Sequence, residues 1–263
     1  MQRTTIGCLV CQVFGKTARS GTLLRAGKLA GNLAKEPTFC LVTPPPQPSP
    51  VSVTTVIDTF TPDDWHHFYE AMRGQGPRPL LLHALSFVQA PTIPYDESPL
   101  LAVDVGCGEG RDTAELLRRG FRVFAFDGQE EAIHRLVSRD DIPLEAKQRL
   151  TARVIRYEYA AWPRCNFLNA AFALPFCPPD LFPVLFERSV VSLLPGGVFC
   201  GQLFGERDEW AGKPGMTHHT KPEAEAALAP LEILHFEEEE RDGTTANGTH
   251  KHWHIFHFIA RKV

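Results

Sequence analysis

This sequence has no long apolar run and no strong net charge, and its cysteines are odd in number. No apolar run approaches the roughly 20 residues that a membrane-spanning helix needs, so we expect no membrane partner. The net charge of −4 over 263 residues gives no electrostatic case for nucleic acid as a partner. An odd count of seven cysteines favours reduced thiols in a cytoplasmic compartment over a disulfide framework.

Acidic residues are also missing from residues 1–35, which hold six basic side chains. This composition is typical of an organelle transit peptide, but the favoured interpretation is a poorly ordered extension or a start codon placed too far upstream. The proline-rich segment 44–50 cannot continue a helix or a central strand, so it predicts a linker. We therefore expect residues 1–55 to form an extension with a linker, and residues 56–263 to form one domain.

Alternating apolar and helix-compatible segments after residue 100 predict a parallel sheet with crossover helices. The predicted strands are 100–105, 121–126, 152–157, 167–174, 197–204, 231–236 and 253–260. The predicted helices between them are 112–119, 130–139, 179–194 and 222–229. Since the turn-rich segment 237–249 contains no helix, we expect the last two strands to be antiparallel neighbours.

Two further helices are predicted ahead of the sheet. Thr61 is a capping residue and Pro62 suits the first helical position, so a helix should begin there. A second helix is predicted over 80–87. The expected fold class is therefore α/β: a Rossmann-like three-layer α/β/α sandwich with an N-terminal helical cap. Its seven-stranded sheet should be mostly parallel with one antiparallel strand.

The most informative motif is the glycine-rich segment 103–110, which follows an apolar run. Gly106, Gly108 and Gly110 stand at alternate positions, where the missing Cβ permits a sharp turn or the close approach of a ligand. Asp127 closes the next predicted strand. A glycine loop after one strand and a carboxylate at the tip of the next predict a nucleoside-binding site.

The charge and spacing of this motif favour a ligand with an ammonium group over one with phosphates. Asp104 precedes the first glycine by two positions, and its charge would repel a pyrophosphate at the helix N-terminus. The third glycine also comes one position earlier than in dinucleotide-binding motifs. S-adenosylmethionine (SAM) has an ammonium group, a ribose and no phosphate, and Asp127 can accept from both ribose hydroxyls. An NAD(P)-linked oxidoreductase and a SAM-binding module without catalysis are the alternatives.

These motifs resemble those of the class I SAM-dependent methyltransferases. The resemblance rests on residues 103–110, Asp127 and the turn 194–197, and it extends over roughly residues 60–263. Within that superfamily, three more segments resemble the TehB and thiopurine methyltransferase group of small-molecule enzymes: 172–177, 201–205 and 251–254.

The resemblance implies roles for the residues of the glycine loop. Gly106, Cys107, Gly108 and Gly110 would line the methionine portion of SAM. Asp104 would hold the ammonium group, directly or through water.

The resemblance also implies contacts beyond this loop. Asp127 and Gly128 would bind the ribose, and Glu158 would contact the adenine amino group. Arg73 would reach the SAM carboxylate. Asn169 lies where the fourth predicted strand should point toward the methyl group.

Methyl transfer is an in-line displacement, so we expect catalysis by positioning and exclusion of water. A thiol, a selenol or a tellurium oxyanion can attack without a general base, whereas a hydroxyl or an amine needs one. The candidates for such a base are Asp208, Glu209 and His218, which follow the fifth predicted strand. We therefore expect a cytoplasmic SAM-dependent methyltransferase that acts on a small molecule, as a monomer or homodimer.

A metal centre is the weaker interpretation of the histidines near the C-terminus. His250, His252 and His254 alternate, so on a strand they would share one face, as metal ligands do. The favoured interpretation is that they are exposed strand residues beside the acidic run 237–240. We expect no metal.

Overall fold

The computed structural model of the chain describes residues 59–89 and 99–263. The predicted extension over residues 1–55 lies outside the described residues, so the expected domain boundary stays a prediction. None of the described helices is long and apolar enough to cross a bilayer.

Seven α-helices are found in the described residues. They are α1 (Pro62–Met72), α2 (Pro79–Leu85), α3 (Arg111–Arg118), α4 (Glu130–Ser138), α5 (Leu144–Lys147), α6 (Phe182–Ser192) and α7 (Lys221–Leu228). Helix α1 begins as predicted: the Thr61 hydroxyl accepts from the Asp64 N–H at 3.2 Å, and the Asp64 carboxylate accepts from the Thr61 N–H at 2.9 Å. This reciprocal pair satisfies two backbone groups that a helix start leaves open.

The described strands form one mixed sheet. They are β1 (Leu101–Val105), β2 (Arg122–Asp127), β3 (Leu150–Val154), β4 (Cys165–Ala170), β5 (Leu193–Gly205), β6 (His218–His219), β7 (Glu232–Thr244) and β8 (His250–Arg261). The strand order is β3-β2-β1-β4-β5-β8-β7, and β6 pairs with β5. Strand β8 runs antiparallel to both of its neighbours, while the other paired strands are parallel. The expected fold class is confirmed, with the two-residue β6 as an addition.

Helices cover both faces of the sheet because neighbouring residues of a strand point to opposite sides. On β1, Val103 packs into a core cluster with Leu185 of α6 and Leu228 of α7. Its neighbour Ala102 packs into a second cluster with Leu116 of α3. This alternation produces the three layers.

The last hairpin differs most from the prediction. Strand β7 continues through the acidic run 237–240 to Thr244, so the turn shrinks from 237–249 to the residues between β7 and β8. Glu238 and Glu240 can stay in the strand because both pair with the exposed Arg207, at 2.9 and 2.7 Å. The predicted loop is therefore wrong over most of its length.

Two other strands end earlier than predicted. Strand β3 ends at Val154, and Tyr157 lies in a single 3₁₀ turn, Tyr157–Tyr159. Strand β4 ends at Ala170, and Leu174 begins another 3₁₀ turn. Both apolar runs continue past the strand end because the turns that follow also face the core or the cavity described below.

Candidate active site

A cavity of about 1130 Å³ opens at the carboxyl ends of the parallel strands. The strand order reverses between β1 and β4, and open α/β sheets bind their ligands at such a reversal. Single-ligand pockets in proteins usually measure about 300–1,000 Å³, so this cavity has room for two small molecules.

The glycine loop forms one wall of the cavity. Gly106 has a φ of +61°, and a Cβ placed on it would lie 2.6 Å from the Cβ of Ala173. Gly106 and Gly108 both line the cavity. Cys107 and Gly110 do not line it. Cys107 is buried, and Gly110, at the start of α3, packs against Leu136 of α4. Two of the four predicted loop contacts therefore face the cavity.

Asp127 meets the glycine loop directly. Its Oδ2 accepts from the Gly108 N–H at 2.9 Å, and its Oδ1 accepts from the Gln129 N–H at 2.9 Å. Burial raises the pKa of Asp127, although these two hydrogen bonds oppose the rise. Asp127 and Gly128 both line the cavity, and each carboxylate oxygen keeps a second lone pair for a ligand hydroxyl.

Asp104 lies behind the loop, outside the cavity lining. Its side chain is buried, and its Oδ2 accepts from the Thr113 hydroxyl at 2.5 Å. Its Oδ1 accepts from the Asn169 amide at 2.9 Å. Burial, together with the nearby Asp112 carboxylate, raises the pKa of Asp104 to about 7. Asp104 therefore ties β1 to α3 and β4, and direct contact with a ligand in the cavity is not its role in this structure.

Asn169 belongs to the same buried network and likewise does not reach the cavity. Its amide also lies 3.3 Å from Oδ2 of Asp112, and its carbonyl oxygen accepts from the Cys200 thiol. The network reaches the cavity through Arg78, whose Nη1 donates to Oδ2 of Asp112 at 2.9 Å. Asn169 thus supports the floor of the site and does not contact the ligand space.

Arg78, which the sequence analysis missed, faces the cavity where Arg73 was expected. The Arg73 side chain is 72% exposed and pairs with Glu70 on its own helix. Arg78 lines the cavity, with its guanidinium carbon 5.9 Å from the centre of the Phe172 ring. Both arginines lie in the segment between α1 and α2. Arg78 points into the cavity because it pairs with Asp112 on α3, and the sequence alone does not reveal that pairing.

Glu158 lines the cavity beyond β3, as does the neighbouring Tyr157. Arg156 contacts the Glu158 carboxylate at 3.4 Å, and the Tyr157 hydroxyl donates to the Ala173 carbonyl at 2.9 Å. Phe126 adds an apolar surface beside them. This end of the cavity therefore combines ring-sized apolar contacts with one carboxylate.

Helix α1 forms a wall of the cavity beside the glycine loop. Trp65, Phe68, Tyr69 and Met72 of this helix all line it. The Tyr69 ring lies 3.7 Å from a Cβ placed on Gly108. These residues are therefore both packing residues and a cover over the site.

None of the three predicted bases lines the cavity. Asp208 is buried, pairs with Lys251, and accepts from the backbone N–H groups of Trp210 and His254 at 3.0 and 3.2 Å. Glu209 is exposed and accepts from the His252 N–H at 2.8 Å.

His218 lies in β6 against the Phe204 ring, where burial lowers its pKa. The segment after β5 folds back onto β8, so Asp208 and Glu209 hold the fold together there and do not line the cavity.

The histidines on β8 pair with acids and with Arg207. His252 contacts Asp242 at 2.8 Å, and His254 contacts Glu238 at 3.0 Å. Among the described residues, no group of three histidine, cysteine or acidic side chains has the arrangement of a metal site.

Comparisons by sequence find nothing: no protein-family model matches the chain, and neither does any curated protein. Solved structures match its fold. TehB from Haemophilus influenzae matches with a TM-score of 0.58 at 17% identity, over 74% of this chain and 66% of that chain. The alignment thus spans just under two thirds of TehB.

Two ligand-bound methyltransferases match over most of their length. One is 1,6-didemethyltoxoflavin-N1-methyltransferase from Burkholderia thailandensis, bound to 1,6-didemethyltoxoflavin and S-adenosylhomocysteine (TM-score 0.53, 19% identity, 82% of this chain and 94% of that chain). The other is magnesium protoporphyrin IX methyltransferase from Synechocystis, bound to SAM (TM-score 0.54, 12% identity, 80% of this chain and 100% of that chain). The chain therefore has the fold of the class I SAM-dependent methyltransferases.

Proposed function

We propose that this protein is a SAM-dependent methyltransferase that acts on a small-molecule acceptor. The observation that carries the proposal is the hydrogen bond from the Gly108 N–H to the Asp127 carboxylate on the cavity wall. It joins a glycine-rich turn to an acceptor for ribose hydroxyls, and segment 103–110 contains no lysine of the kind that a phosphate-binding loop carries.

The residues around this hydrogen bond fit SAM. Gly106 leaves a cradle that a Cβ would fill, which suits the methionine portion. Asp127 provides acceptors for the ribose, and Glu158 provides one for the adenine amino group. Arg78 lines the cavity and could pair with the SAM carboxylate, the role that the resemblance implies for Arg73. When bound, SAM supplies an electrophilic methyl group on a sulfonium centre.

The opposite end of the cavity supports a small, largely apolar acceptor. Its lining is rich in aromatic rings: Phe60, Trp65, Phe172, Phe176, Phe204, Trp210 and Trp253. Such walls exclude water, and a water-poor site favours displacement at a sulfonium carbon because the nucleophile loses its hydration shell. The cavity volume of about 1130 Å³ leaves room for a small acceptor molecule beside the cofactor.

Isothermal titration calorimetry of the purified chain with S-adenosylhomocysteine tests the proposal, with NADH as the comparison ligand. We expect binding of S-adenosylhomocysteine and no binding of NADH. Binding of NADH alone would contradict the proposal and favour an oxidoreductase.

A second measurement separates an enzyme from a binding module. Transfer of a labelled methyl group from SAM to acceptors in a panel of phenols, thiols and heterocyclic amines would support catalysis. Binding of SAM without transfer to any of them would favour the non-catalytic module.

A further inference from the structure

A chain of hydrogen bonds runs along the cavity wall at the end that the proposed function assigns to the acceptor. The Phe172 N–H donates to Oε1 of Gln202 at 2.8 Å, which leaves the Gln202 amide nitrogen facing Nδ1 of His257 at 3.4 Å. Nε2 of His257 lies 2.8 Å from Oε2 of Glu239. Since an amide nitrogen can only donate, Nδ1 is the accepting nitrogen and Nε2 carries the proton toward Glu239.

This chain of hydrogen bonds is built into the cavity wall. Phe172, Gln202, Glu239 and His257 all line the cavity, and 16% of the His257 side chain remains exposed there. Phe172 holds a φ of +53°, an unfavourable conformation for a residue with a side chain, and its hydrogen bond to Gln202 helps to fix it.

The same wall connects His257 to the glycine loop. The Phe172 and His257 rings are 6.5 Å apart between centres. Ala173, the next residue, occupies the space that a Cβ on Gly106 would fill. His257 is therefore one ring away from the part of the wall that faces the methionine portion of the cofactor in the proposed function.

We propose that His257 is the general base for an acceptor that carries a hydroxyl group on an aromatic ring, with Glu239 as its positioning residue. The inference rests on the proposed function. Nδ1 of His257 takes the hydroxyl proton, the oxygen forms a bond to the methyl carbon, and the carbon–sulfur bond breaks to leave S-adenosylhomocysteine. The imidazolium keeps its Nε2–H on Glu239 and later releases the other proton to water.

The charges around His257 suit this role. On β7, Glu237 stands directly across from His257 in the register, and Glu239 lies diagonally across. Burial opposes ionisation of Glu239, but hydrogen bonds from Arg241 and His257 outweigh it and lower the Glu239 pKa. Glu239 is therefore a carboxylate that can stabilise an imidazolium, as in other carboxylate–histidine pairs.

The chemistry selects a hydroxyl among the possible acceptors. A thiol can attack without a base, and an amine can attack with its lone pair and lose its proton to a base afterwards. A hydroxyl has to lose its proton before or during attack, so a base built into the wall matters most for a hydroxyl. The 3.4 Å contact between Gln202 and His257 is longer than an ordinary hydrogen bond, so little is lost when an acceptor hydroxyl replaces it. The ring of the acceptor then meets the aromatic lining.

The test uses 4-nitrophenol, whose visible absorption band appears only when it is ionised. The protein is first saturated with S-adenosylhomocysteine, and 4-nitrophenol is added at a pH below its ordinary pKa. We expect the bound phenol to show the phenolate band. We expect His257→Asn to bind the phenol without that band, and His134→Asn, an exposed histidine on α4, to behave like the unchanged chain.

Glu239 is tested in parallel, so that the inference does not depend on one variant that has to fold. Glu239→Gln should weaken the phenolate band, and Glu239→Asp should restore part of it. A merely structural role for Glu239 would leave the band unchanged in both variants.

The outcomes separate this inference from the proposed function. If S-adenosylhomocysteine does not bind, the proposed function fails. If it binds but 4-nitrophenol does not, the acceptor class is wrong. If 4-nitrophenol binds without a phenolate band, or if His257→Asn keeps the band, His257 is not the base while the methyltransferase proposal stands.

Discussion

Lys251 and Asp208 form an ion pair in the interior, with 1% and 0% of their side chains exposed. The Lys251 ammonium also lies 3.8 Å from the centre of the Trp253 ring and 4.6 Å from that of Trp210. Burial lowers the pKa of Lys251, while the hydrogen bond to Asp208 opposes that shift. The pair fastens the segment after β5 to β8, next to the acceptor end of the cavity.

Removing one member of this pair should destabilise the fold strongly. We expect Lys251→Ala to lower the free energy of unfolding by about 3–5 kcal/mol, because the buried Asp208 charge then has no charge of opposite sign beside it. Urea denaturation followed by tryptophan fluorescence measures the change. The double variant Lys251→Met with Asp208→Asn removes both charges and keeps an amide oxygen for a backbone N–H, so it should recover part of the loss. A single variant as stable as the original chain would contradict this interpretation.

The buried Asp104 should make stability depend on pH. Its pKa is raised from 3.8 to about 7 in the folded state, so between these values the folded chain binds more protons than the unfolded chain. The free energy of unfolding contributed by Asp104 therefore falls as the pH rises through this range. The amide side chain that Asp104→Asn introduces cannot ionise, so the free energy of unfolding of this variant should fall less across this pH range than that of the original chain. Denaturation curves of both proteins across the range measure the difference, and parallel pH profiles would argue against a raised pKa.

Gly110 should tolerate a side chain less well than a glycine with open space around it. A Cβ on Gly110 would lie 2.2 Å from Cδ1 of Leu136, whereas one on Gly120 meets nothing within 4 Å, and both residues have a positive φ. Gly120→Ala therefore measures the cost of a side chain at positive φ without any steric clash. We expect Gly110→Ala to destabilise the fold by about 1–3 kcal/mol more, the usual range for overpacking. Equal losses in thermal or urea unfolding would show that Leu136 moves aside freely.

The sequence was sufficient where local chemistry decides the structure. Thr61 and Asp64 cap their own helix, so that boundary could be predicted from four neighbouring residues. The glycine loop and Asp127 could be paired because parallel neighbouring strands bring their ends to one edge. These features define the part of the cavity to which the proposed function assigns SAM.

Long-range pairing decided what the sequence analysis missed. Asp208 resembles a loop carboxylate until Lys251 is placed against it, 43 positions along the chain. His257 stands in an apolar run, and nothing local distinguishes it from a packing residue. Its relation to Glu239 depends on the register of a hairpin whose first strand was expected to end before residue 239. The part of the cavity that the proposals assign to the acceptor therefore emerged only from the tertiary structure.

The affinity of Asp127→Ala for S-adenosylhomocysteine, measured by calorimetry, tests the central claim most directly. Losing a charged hydrogen-bond acceptor for the ribose should weaken binding by about 1–3 kcal/mol, which is about 5–150-fold. Asp180→Ala, an exposed aspartate outside the cavity lining, is the matched control and should bind as the original chain does. Unchanged affinity in a folded Asp127→Ala protein would contradict the nucleoside site on which the methyltransferase proposal rests.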